Sequence, residues 1–161
     1  MVRFGLLIAA AVVLLDQVTK TWIVHDVMAP PRVIEVTSFF NIVMVWNRGA
    51  SFGLFGSGAS WGQLALGLVA AAICIALTVW LFRVTHRWLA AALGFVIGGA
   101  IGNVIDRVIY GAVADFLDFH AFGWHWPAFN VADMSICVGV GMLLLDGLIA
   151  GRRTHKLDTG S

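Results

Sequence analysis

Residues 88–109 read WLAAALGFVIGGAIGNVIDRVI, apolar until Asn103, Asp106 and Arg107 enter near the end. At a rise of about 1.5 Å per residue, a helix of this length crosses a hydrocarbon layer of about 30 Å. Gly94, Gly98 and Gly102 recur at i, i+4 and i+8, a stripe that lets a second helix approach closely, and the same stripe continues to Asp106. The segment is therefore a membrane helix whose packing seam runs into an acid.

The rest of the chain agrees. Hydrophobic residues make up 60% of the 161 residues and charged residues 12%, with a mean hydropathy of +0.92, the composition of an integral membrane protein. A net charge of +1 points to no nucleic-acid partner. Residues 61–82 form a second span without any charge, and 131–149 a third with Asp133 near its start. The N-terminal run is broken by Asp16 and Lys20, and its apolar core after Arg3 also fits a signal peptide. The apolar pattern resumes through Trp22, Ile23 and Val24, which favours a retained helix over 4–24.

The expected fold is thus an α-helical polytopic membrane protein, a single membrane domain over 1–161 with four transmembrane helices (about 4–24, 61–82, 88–109 and 131–149) and a small extracytoplasmic β-sheet. Short loops rich in Lys and Arg stay cytoplasmic. Arg3, Arg83 with Arg87, and Arg152, Arg153 and Lys156 accordingly put both termini inside. The connections 26–60 and 110–130 then face outward. Residues 32–45 (RVIEVTSFFNIVMV) carry the strand signal, closed by a turn at Asn47-Arg48-Gly49.

This topology brings the polar residues to one depth. Asp16 and Lys20 come late in an outward helix, Asn103, Asp106 and Arg107 late in another, and Asn130 and Asp133 at the top of the inward fourth, with Asp115 arriving from the loop above. Asp133, Cys137 and Gly141 share a helix face by spacing, which suggests that this acid also lies on a close-packed seam.

Several of these residues have structural readings. Asp16 and Lys20 stand at i, i+4 with the acid first, the order of a helix ion pair. Asp106-Arg107 invites the same view, with Arg107 free to reach a carboxylate or a backbone carbonyl. Asp26, Glu35, Asp118 and Asp146 read as solvated. His120 and His125 lie among Phe119, Phe122, Trp124 and Trp126, an outer aromatic belt lacking a third metal ligand, so no metal is expected. Cys74 and Cys137 have no paired spacing and read as reduced packing residues. The glycine-rich stretch 53–62 lacks a phosphate-loop spacing and reads as a flexible turn.

Asp115 and Asp133 have no evident partner in sequence. Two carboxylates brought together cannot both ionise, so such a pair holds an acid and a base near neutral pH, suited to water-mediated amide hydrolysis. No GxSxG, HExxH or Cys/His arrangement offers another nucleophile. A small proton-coupled transporter and a non-catalytic scaffold remain the readings from other classes. The transporter would spread its acids through the bilayer, and the scaffold leaves the costly polar groups unexplained.

The runs DQVTK (16–20), NRGASF (47–52), GGAIGNVIDR (98–107), VADF (113–116) and FNVAD (129–133) together resemble the bacterial lipoprotein signal peptidases, the signal peptidase II family, in order and over nearly the whole chain. The resemblance implies an aspartic endopeptidase of the inner membrane that removes signal peptides from prolipoproteins, cutting before a cysteine that already carries diacylglycerol. It implies Asp115 and Asp133 as the catalytic pair. Asn47, Gly49, Asn103, Asp106, Arg107, Asn130 and Ala132 would be substrate-binding or supporting positions, and Asp16 and Lys20 structural ones. It further implies contact with membrane lipids, sensitivity to globomycin-type cyclic peptides, no cofactor, and a monomer.

Overall fold

The computed structural model describes residues 1–49 and 60–158, and for 60–66 and 150–158 it describes the backbone alone. Ala50, Ser51 and Phe52 of the NRGASF run and most of the glycine-rich stretch 53–62 lie outside the described residues, as do the side chains of Arg152, Arg153 and Lys156.

Helix α1 (Val2–Trp22) continues through a widened π turn (Ile23–Val27) into a two-stranded hairpin, β1 (Ile34–Thr37) and β2 (Phe40–Asn47). Helices α2 (Ser60–Leu81) and α3 (Arg87–Tyr110) follow, then β3 (Val113–Ala121), the short β4 (Trp124–His125) and α4 (Val131–Asp158). The strands make one antiparallel sheet in the order β1-β2-β3-β4. The expected strand over 32–45 is thus resolved into a hairpin, and the loop 110–130 supplies the sheet's other half.

Among the described residues, three helical segments are long and apolar enough to cross a membrane: Val2–Val27, Arg87–Tyr110 and Val131–Ile149. In α2 the apolar stretch among the described residues is the shorter Gly67–Leu81. Helix α3 is the central one, packing on α1, α2 and α4. Its glycine stripe faces α1, as the spacing predicts. A Cβ on Gly94 would stand 2.5 Å from the Gly5 carbonyl oxygen, on Gly98 2.7 Å from that of Ala9, and on Gly102 2.5 Å from Asp16 Oδ2. Larger residues there would force the helices apart.

The seam between α3 and α4 differs from expectation. It runs through Gly99 against the Ala132 carbonyl and Gly139 against Ala92 and Val96. Cys137 is exposed and no described residue comes within 4 Å of a Cβ placed on Gly141, so among the described residues the face shared by Asp133, Cys137 and Gly141 is not a packed one, and Cys137 is no packing residue. Asp133 sits half-buried at the edge of the seam, and Ala132, fully buried, occupies its centre.

One turn and one strand register set up the site. Helix α3 ends at Gly111, whose φ of 70° is a left-handed cap and whose N–H returns to the Arg107 carbonyl at 3.1 Å. The chain thereby reverses straight into β3. Across β2 and β3 the register places Asn41 opposite Asp118, Val45 opposite Asp115 and Asn47 opposite Val113, with an irregularity between Ile42 and Val45.

Candidate active site

Asp115 lies on β3 and is 1% exposed. Its Oδ1 accepts from Asn130 Nδ2 at 2.6 Å and its Oδ2 from Asn47 Nδ2 at 2.9 Å. Asn47 is held by Gly49, which adopts φ 94° and donates its N–H to Asn47 Oδ1 at 2.8 Å, so that the amide nitrogen turns toward Asp115. Burial pushes the Asp115 carboxyl up to about 6, with the charge of Asp133 adding to the effect and the hydrogen bonds from Asn47 and Asn130 opposing it.

Asp133 stands in the first turn of α4, in a reciprocal cap with Asn130. Its N–H donates to Asn130 Oδ1 at 3.0 Å, and its Oδ2 accepts the Asn130 N–H at 3.3 Å. The other oxygen accepts from Asn103 Nδ2 at 2.7 Å. Asn130 also donates to Asn103 Oδ1 at 3.3 Å. Two asparagines therefore link the two acids, which sit at adjoining ends of β3 and α4.

Behind this pair is an ion cluster. Lys20 Nζ is 2.9 Å from Asp16 Oδ2 and 2.9 Å from Asp106 Oδ2. The expected Asp16–Lys20 pair is present, but the partner of Asp106 is Lys20 and not Arg107. Arg107, half-buried, instead donates to the Asn103 carbonyl one turn back at 3.1 Å. Two neighbours on one helix point apart by about 100°, so adjacency in sequence disfavours the pairing. Gln17, an uncharged residue that no spacing singles out, donates to Asp16 Oδ2 at 3.1 Å and to Asp106 Oδ1 at 3.0 Å.

Beside Asp115 an open cleft of about 650 Å³ is lined by Val45, Trp46, Asn47, Arg48, Asp115, Pro127 and Ala128. A second groove of about 640 Å³ shares Val45 and Ala128 with it and extends over the sheet to Asn41, Asp118 and His125. Here the structure corrects two expectations. Asp118 is 6% exposed and not solvated. It accepts from Asn41 at 3.1 Å and lies 2.9 Å from His125 Nδ1, so His125 is a hydrogen-bond partner of a buried acid and not merely a belt residue. Burial pushes the Asp118 carboxyl up, but these hydrogen bonds outweigh it and hold the group below the usual carboxylate range. Asp26 and Glu35 are exposed, as read from the sequence, while Asp146 is half-buried. Among the described residues no group of three His, Cys, Asp or Glu is placed to hold a metal ion.

The comparisons with known proteins point one way. The family model described as signal peptidase (SPase) II matches residues 8–149. A lipoprotein signal peptidase of Azoarcus sp. (strain BH72) is 46% identical, the match covering 96% of this chain and 87% of that protein. One from Methylorubrum extorquens (strain PA1) is 44% identical, over 97% and 92%. Among solved structures, a bacterial membrane enzyme determined by the in meso method at 1.9 Å superposes with a TM-score of 0.77 at 36% identity, over 89% of this chain and 92% of that one.

Proposed function

The chain belongs to the signal peptidase II family, and on that premise we propose that it is an aspartic endopeptidase of a bacterial inner membrane. It removes the signal peptide of diacylglyceryl-modified prolipoproteins, cutting just before the lipidated cysteine at the outer face. The observation that carries this reading is the buried Asp115 carboxyl, pushed up to about 6 and two hydrogen bonds from Asp133, at the wall of an open cleft.

The reaction needs one proton between the two acids. Asp115 takes it, being the carboxyl whose proton affinity burial raises, and Asp133 is the base. Asp133 takes a proton from water as the water oxygen attacks the scissile carbonyl carbon, and Asp115 gives its proton to the carbonyl oxygen. As the tetrahedral species collapses, the C–N bond breaks, the proton on Asp133 passes to the leaving amine, and Asp115 recovers its own from a hydroxyl. The products are the signal peptide's carboxylate and the free amine of the lipidated cysteine. Asn47, Asn103 and Asn130 keep the carboxyl oxygens pointed, Gly49 aims Asn47, and Arg107 anchors the Asn103 carbonyl.

Topology suits this substrate. Four spans with both termini inside leave Arg83 and Arg87 cytoplasmic and the sheet outside. A signal peptide enters as an apolar helix with its basic end inside, so its scissile bond arrives at the level of the acids. Surrounding lipids admit the diacylglyceryl group laterally, and globomycin-type cyclic peptides would compete for the same cleft. The test is incubation of the purified protein, in detergent, with a diacylglyceryl-modified prolipoprotein peptide and with the same peptide carrying a bare cysteine. Cleavage immediately before the cysteine, much faster for the lipidated form, is expected. Equal cleavage of both, or none, would overturn the reading.

A further inference from the structure

Lys20 plays no part in the proposed proton transfers and does not line the cleft, yet it is only 3% exposed. Its ammonium has three N–H donors and meets three acceptors: Asp16 Oδ2 at 2.9 Å, Asp106 Oδ2 at 2.9 Å and Asn103 Oδ1 at 3.0 Å. What those acceptors hold in turn is informative. Asp16 Oδ1 accepts the N–H of Ala132 at 2.9 Å, the residue before Asp133. Asp106 Oδ2 accepts the N–H of Ala114 at 3.0 Å, the residue before Asp115. Asn103, fixed by Lys20 through its oxygen, presents its nitrogen to Asp133.

One ammonium is therefore two hydrogen bonds away from the backbone preceding each acid. Ala114 and Ala132 are both fully buried, so their N–H groups have no water to turn to if the carboxylates move. The helices carrying the cluster already meet through the glycine seam, so holding α1 to α3 does not by itself require an ion triad. From this geometry we infer that Lys20, with Asp16 and Asp106, is a positioning clamp that sets the separation and orientation of the Asp115 and Asp133 carboxyls. The inference rests on the proposed role of that pair.

Lys20→Met in the full-length protein removes the hub, and Asp106→Asn, isosteric, removes the charge that Lys20 grips. Each is assayed on the diacylglyceryl peptide, with rates normalised to folded protein recovered by size exclusion. A displacement of about 1 Å at a reacting centre lowers turnover on the order of 100-fold. The clamp predicts a kcat lowered by about that factor with KM nearly unchanged, and a displaced kcat/KM pH profile, because the coupling between two carboxyls depends on their separation. A purely structural role predicts fewer folded molecules, each with wild-type kcat and pH profile, and that result in either variant overturns the clamp. If Lys20→Met yields no folded protein, the Asp106→Asn profile decides. Wild-type protein that fails to cleave, or Asp115→Asn that cleaves normally, would defeat the proposed function, whereas a normal clamp variant beside an inactive Asp115→Asn defeats the clamp alone.

Discussion

Two carboxylate pairs lie side by side in this protein, and their donors differ in kind. Asp16 and Asp106 share the ammonium of Lys20, and each also accepts from Gln17 and from one backbone N–H. Among the described residues, Asp115 and Asp133 receive neutral amide donors alone: Asn47, Asn103, Asn130 and one backbone N–H. A carboxylate held by a contacting cation ties elements together and serves architecture. A carboxyl that is desolvated but given no cation keeps its proton within reach of neutral pH, the condition for acid/base work. Among the described residues, what separates the two pairs is the contacting cation and not burial alone.

The contrast can be broken most visibly through activity. Asp115→Asn or Asp133→Asn should each lower turnover by about 1,000-fold or more, with the protein still inserted and folded, as read by cleavage of the lipidated peptide and by thermal melting in detergent. Retained turnover in either would move that residue into the architectural class. The other pair should answer in stability. Lys20→Ala strands two buried carboxylates, and losing one partner of a buried pair typically costs about 3–5 kcal/mol, so its melting temperature should fall far more than that of Asp115→Asn.

A pH series sharpens the same comparison. The Asp115 carboxyl is raised from 3.8 to about 6 in the folded protein, so the folded state binds this proton more tightly than the unfolded one. The stability it contributes is fully present below 3.8 and is lost as pH rises through about 6. A tenfold change in proton affinity corresponds to about 1.4 kcal/mol, so the loss is roughly 3 kcal/mol. Asp115→Asn should lack that slope, and identical pH–stability curves for the two proteins would contradict the assignment. The smallest effect is expected at the sheet. His125 is 54% exposed where it meets Asp118, and pairs open to solvent contribute about 1 kcal/mol or less. His125→Ala should therefore leave both melting and cleavage nearly unchanged, and a large loss of cleavage would extend the site into the second groove.

How far the sequence could be read follows the same division. Composition and periodicity reveal the apolar helices, and the spacing of Gly94, Gly98 and Gly102 predicts a close approach whose partner turns out to be α1. Topology predicts the shared level of Asp16, Lys20, Asn103, Asp106, Asn130 and Asp133, because helix rise and direction are local properties. Pairing across helices is not local. Lys20 reaches Asp106 because the glycine seam brings α1 against α3, and nothing near Asp106 in sequence announces it. Asp118 looks solvated until the strand register sets Asn41 opposite it. The packed face of α4 is not legible for a related reason: periodicity defines the faces of a helix, but the neighbour decides which one is packed, and α3 meets Gly139 and Ala132 instead of Cys137 and Gly141.

Whether Asp115 and Asp133 act as one catalytic unit is decided by single-turnover cleavage of the diacylglyceryl peptide by Asp115→Asn, Asp133→Asn and the double variant, each at equal folded concentration. Residues that work as a unit are strongly non-additive, so the double variant is expected to be scarcely slower than either single. A double variant slowed by the product of the two single effects, or a single variant that retains substantial turnover, would contradict it.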